Sequence, residues 1–170
     1  NINELASEAF IRTLAESGAH YLWYYIYRPV GENPCFELAL SADQIRELRQ
    51  FLVRVRKRAP LFVVDAYWDH LGRALCPAAT GISHHIGPGG DVEPCPPVQF
   101  DCERVDDSRN LGEVMDNSTF LSEFRRRVSD ATRGCVLLEC PAVLQSVVED
   151  CDARDTSGRN VGCAELEGRC

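Results

Sequence analysis

HYLWYYIY, residues 20–27, is the run on which the fold turns. It is too apolar and aromatic all round for a surface helix and reads as a buried strand. Arg28-Pro29-Val30-Gly31 then breaks it. LFVVDAYW, residues 61–68, reads as a second buried strand. Between the two, Ser41-Ala42-Asp43-Gln44 has capping-box spacing, and Ile45, Leu48, Leu52 and Val55 recur at helical intervals. Arg54, Arg56, Lys57 and Arg58 suit the negative end of that helix, and Pro60 closes it. Upstream, Ile2, Leu5, Ala6, Ala9 and Leu14 predict a helix over residues 2–16, with Gly18 as its stop. Helix–strand–helix–strand with a helical crossover predicts two parallel strands in one sheet.

Such a piece is too small to close a barrel or to cover both faces of its sheet. The chain starts at Asn1 and its one methionine is Met115, so earlier β/α units are expected upstream. After residue 75 the composition changes: Gly, Pro and Cys concentrate, and the helix–strand rhythm stops. Asn110-Leu111-Gly112 leads toward a helix capped by Asn117 or Ser118, with Phe120, Leu121, Phe124 and Val128 on its apolar face. Pro141 suits the first turn of a last helix reaching about residue 150. Residues 151–170 read as a polar tail. The expected divisions are therefore 1–75, 76–150 and 151–170.

Bulk properties exclude some function classes. A formal charge of −8 over 170 residues argues against non-specific nucleic-acid binding, which needs a basic face. No run reaches a membrane-spanning length, and residues 2–16 are amphipathic and acidic, unlike a signal peptide. A cytoplasmic protein without membrane or nucleic-acid partners is the expectation.

The cysteines point to chemistry. CPAATGISHHIGPGGDVEPC, residues 76–95, places two thiols on either side of a Gly-Pro-Gly-Gly turn, and a hairpin there brings them together. Such a pair serves a disulfide, a zinc site or an iron–sulfur cluster. Nine cysteines cannot pair completely within the chain, and without an export signal clustered thiols point toward metal. Cys76, Cys95, Cys135 and Cys140 are the candidate ligands, with Cys102 as a substitute for Cys140, whose thiol would sit at a helix N-terminus. Cys35, Cys151, Cys163 and Cys170 are expected bystanders. Spacing alone does not separate zinc from iron–sulfur.

Other side chains have a functional and a structural reading. His84 and His85 should face opposite ways, one of them toward a metal or substrate. Asp69-His70 ends the second strand as an acid–base pair or a plain turn. Trp23, Tyr24, Tyr25 and Tyr27 line a pocket or fill the core. Asp65, inside an apolar run, needs a partner or faces a cavity.

Residues 76–95 resemble the SPASM/twitch extension of radical S-adenosylmethionine enzymes. Gly90-Asp91-Val92-Glu93-Pro94-Cys95 carries its glycine-to-cysteine spacing, and Asn110-Leu111-Gly112-Glu113-Val114 and the helix after it also look like that family. The resemblance implies that residues 1–75 are the last β/α units of a partial TIM-like barrel. A small α+β domain with a β-hairpin and helices would follow. It further implies an auxiliary [4Fe–4S] cluster on Cys76, Cys95 and Cys135, with Cys140 or a non-cysteine group as the fourth ligand, serving an unknown small-molecule or peptide substrate and an electron donor. The CxxxCxxC motif that binds the S-adenosylmethionine-cleaving cluster does not occur here, so that cluster and S-adenosylmethionine would belong to a missing N-terminal part. Cys135-Val-Leu-Leu-Glu-Cys140 is wider than the family's pairs, which argues for one cluster rather than two. From a different class, the alternative is a zinc-binding interaction module without catalysis. A disulfide-bearing extracellular domain is a third.

Overall fold

Ser7 breaks the expected first helix in two. Its hydroxyl accepts from Phe10 N at 3.2 Å and caps a new helix, so α1 (Ile2–Leu5) and α2 (Glu8–Glu16) replace one continuous segment. The computed structural model describes residues 1–30, 33–65, 68–69, 71–106 and 110–159. These form a mixed α/β protein of two compact units, Asn1–Pro29 with Cys35–Ala74, and Val30–Pro34 with Leu75–Cys170. No helix among the described residues is long and apolar enough to cross a membrane.

The first unit is a strand–helix–strand crossover. β1 (Tyr21–Trp23) and β2 (Phe62–Val64) pair in parallel, Tyr21 opposite Phe62 and Trp23 opposite Val64. α3 (Ala42–Val55) joins them and carries the predicted capping box, Ser41 Oγ accepting from Gln44 N while Gln44 Oε1 accepts from Ser41 N. Leu48, Phe51, Leu52 and Val55 form its buried stripe.

Neither strand is buried on both faces, contrary to the reading of residues 20–27 and 61–68. Tyr24 and Ile26 are buried, but Tyr21, Trp23, Tyr25 and Phe62 stand exposed, Phe62 at 79%. The helical side covers one face only, and among the described residues the two strands pair with each other alone. The Trp23 and Tyr25 rings lie 5.0 Å apart on the open side.

The second unit packs helices against short antiparallel pairs. β3 (His85–Ile86) pairs with β4 (Val92–Glu93), and β5 (Phe100–Asp101) pairs with a strand built from the supposed tail, described below. Val92 N donates to Glu103 O and Val105 N to Gly90 O, tying β4 to the chain that follows β5. α4 (Leu111–Asn117) is capped by Asn110, and α5 (Thr119–Ala131) by Ser118, whose hydroxyl accepts from Leu121 N. Phe120, Leu121, Phe124 and Val128 are all buried, as their spacing predicts. They meet Val136 and Leu137 of α6 (Val136–Glu139) and Leu144, Val147 and Val148 of α7 (Pro141–Asp150), which starts on Pro141 as expected. The final pairing strand is β6 (Arg154–Asp155), in register with Asp101 and Phe100. Within the segment read as a polar tail, Arg154 and Asp155 therefore pair with β5.

Candidate metal centre

The hairpin carrying the cysteines is built around Gly90. Gly90 N donates to Gly87 O at 2.9 Å, closing a turn over Pro88 and Gly89, and Gly90 itself sits at φ +83°. That combination is a three-residue hairpin loop ending in a left-handed bulge. A Cβ on Gly90 would also lie 2.7 Å from the Val105 carbonyl oxygen. Of the three turn glycines, Gly90 alone has positive φ; Gly89 is needed for space, since a Cβ there would come 2.8 Å from Asp91 Oδ2.

The hairpin leads into Cys95, which bridges to Val98 and whose carbonyl accepts from Val98 N. Cys76 precedes the turns that enter β3, and its carbonyl accepts from Thr80 N. Cys135 caps α6, its carbonyl taking Leu138 N and Glu139 N, while Cys140 links α6 to Pro141. All four are half-buried thiols without disulfides, and Cys76, Cys95 and Cys135 pack on the same apolar core. The donors are right in kind for a thiolate-held iron–sulfur cluster. Among the described residues, however, no group of three or more His, Cys, Asp or Glu side chains is arranged to hold a metal ion. Cys163 and Cys170 lie outside those residues.

Cys102, the substitute ligand, is otherwise engaged. Its thiol donates to Cys151 O at 3.3 Å, and loss of solvent, followed by the Glu103 charge, pushes it up to about 11. Binding a metal there would first require removing that proton. Cys35 lies in the first unit, its thiol 3.1 Å from Glu37 Oε2.

The remaining candidates divide clearly. Asp65 has a fully buried side chain that pairs with Arg56 at the end of α3 and accepts from Trp68 N, so it is a structural carboxylate. Asp69 accepts from Leu71 N, Arg73 N and Arg73 Nε, a turn role, and the Arg73 N–H leads the effects that bring its carboxyl down to about 2. His70 lies outside the described residues. Tyr24 is core, its hydroxyl donating to Leu5 O.

His84 and His85 do turn to different partners. His85 Nδ1 lies 2.6 Å from Glu93 Oε2, and Glu93 is 2% exposed and also accepts from Thr156 Oγ1. His84 Nε2 lies 2.6 Å from Arg125 Nη2. A guanidinium only donates, so that nitrogen carries no proton. Burial, ahead of the Arg125 charge, lowers the imidazole from its ordinary value.

A buried polar network escaped the sequence reading altogether. Asp91 and Asp101 are 5% and 0% exposed, and Arg154 joins them, 2.7 Å from both Asp101 oxygens and 3.2 Å from Asp91 Oδ1. Arg104 adds a second cation at 2.5 Å from Asp91. Burial still holds the Asp101 carboxyl above its usual range, against the pull of Arg154. The Gly-Asp-Val-Glu run at residues 90–93 was the available signal, because alternation places two acids on one face of a short strand.

Comparison of the chain with protein-family models, with curated proteins and with solved structures finds no match.

Proposed function

We propose that this chain is the C-terminal portion of a radical S-adenosylmethionine enzyme whose second unit binds an auxiliary [4Fe–4S] cluster through Cys76, Cys95, Cys135 and Cys140. The single observation that carries the reading is the hairpin built on Gly90, with Cys95 just after β4 and Cys76 ahead of the turns that lead into β3. The parallel β1–β2 pair adds support. Parallel sheets ordinarily have both faces covered, and this one keeps aromatic side chains exposed on the face where further units of a partial barrel would pack. S-adenosylmethionine and its own cluster would be held by that upstream part, and the substrate would be a small molecule or a peptide.

When bound, the auxiliary cluster supplies electron transfer or substrate placement. This chain's own part is to bring deprotonated thiols to it. The described thiols are not grouped for metal, so loading must draw them together, as expected where metal binding is coupled to local folding.

Anaerobic reconstitution with ferrous iron and sulfide tests the reading. About four irons and four sulfides per chain are expected, with a broad visible band near ~400 nm. Cys76→Ala and Cys95→Ala should each abolish that band. A full band in both variants removes these residues as ligands. Zinc with negligible sulfide in protein purified without oxygen would establish the interaction module instead.

A further inference from the structure

Three consecutive arginines on α5 have different fates. Arg126 and Arg127 both hold Glu123, and Arg127 also holds Asp150. Elsewhere in the same unit Arg104 and Arg154 hold Asp91 and Asp101. Arg125 is the exception: its partner is the neutral ring of His84, and among the described residues no carboxylate stands within ion-pair distance of it. Its Nε is buried with no hydrogen-bond acceptor. The arm lies against Gly81 of the turn that enters the hairpin, where even an added Cβ would sit 3.5 Å from Nε.

A half-buried guanidinium normally secures a carboxylate, because its fixed fork of donors matches two oxygens at once. Here the fork retains donors with no acceptor, and the residue beside it is a histidine that can take up a proton. A neutral imidazole is a poor match for a guanidinium, whereas an oxyanion satisfies the fork and favours protonation of His84. We propose that Arg125 and His84 form a binding site for an oxyanion, the carboxylate or phosphate group of a small ligand. The site is independent of the cluster reading, since neither residue is among the four proposed thiolate ligands.

The test is an NMR titration of the full chain with isotope-labelled histidine. The His84 ring signals are identified by their loss in His84→Gln. Inorganic phosphate and acetate are added separately at millimolar concentration and constant ionic strength. Saturable movement of the His84 signals is expected. A response to phosphate alone identifies a phosphorylated ligand, to acetate alone a carboxylate, and to both a simple oxyanion site. Arg125→Gln should weaken the response at least about tenfold, and Arg126→Gln should leave it unchanged. If Arg125→Gln unfolds, Arg125→Lys keeps the charge without the fork and should bind several-fold more weakly. An unmoved His84, an equal response to chloride, or undiminished binding in the Arg125 variants would overturn the proposal.

Discussion

Glu93 Oε2 lies 2.6 Å from His85 Nδ1 across the hairpin, and the carboxylate between its two partners is almost wholly buried. The contact links β3 to β4, and through Thr156 it links both to the segment that follows β6. Glu93→Ala would remove the buried carboxylate from His85 and Thr156, both of which keep partial access to solvent. The loss should be about 1–2 kcal/mol in urea unfolding, reduced by the solvent that reaches both partners, with Glu93→Gln milder because an acceptor remains. A Glu93→Ala protein as stable as wild type would show that the network contributes nothing.

Gly90 is under two constraints at once, positive φ and the nearby Val105 carbonyl, whereas Gly18 has φ +88° and open space around it. Gly90→Ala should therefore cost at least about 2 kcal/mol. Gly18→Ala should cost only about 1 kcal/mol, the backbone penalty alone. Thermal midpoints by circular dichroism, read separately for each variant, check the difference.

Asp65 and Arg56 form a pair whose acid side chain is fully buried and whose base is about one-quarter exposed, at 27%. Asp65→Asn leaves the guanidinium without its counter-charge and should lower stability by about 2–3 kcal/mol, discounted for the solvent that reaches Arg56. Iron uptake by the second unit should be unaffected, since Asp65 has no part in the proposed site.

Acid sensitivity follows from two depressed carboxyls. Hydrogen bonds from Arg126 and Arg127 hold Glu123 down to about 2, and those in the Asp69 turn do the same there. A carboxyl whose folded value lies below its unfolded value near 4 contributes stability above that point and loses it as pH falls toward about 2. Stability should fall through this window, and Asp69→Asn and Glu123→Gln should each flatten the decline. Denaturation midpoints measured from pH about 5 to about 2 provide the check.

The local signals in the sequence were legible because one or two turns of chain settle them. Ser41 and Gln44 cap α3 as their spacing requires, Pro141 opens α7, and the apolar face of α5 is buried throughout. Ser7 was overlooked as a cap because the apolar periodicity runs through it. Arg125 was overlooked for a related reason. An arginine in a run of three reads as solvated, although residue 125 falls one turn after Leu121 and so toward the buried face.

The chain alone determined the strand–helix–strand order around α3, the parallel sense of its two apolar strands and the turn between Cys76 and Cys95, all consequences of short-range backbone preference. Tertiary structure decided which acids are buried with which arginines, that Arg154–Asp155 returns to pair with β5, and that the aromatic strands keep one face open. Those outcomes join residues up to 63 positions apart, as Arg154 and Asp91 are. The free energy of burying a charge depends on the partner that arrives from elsewhere in the chain, which no local pattern encodes.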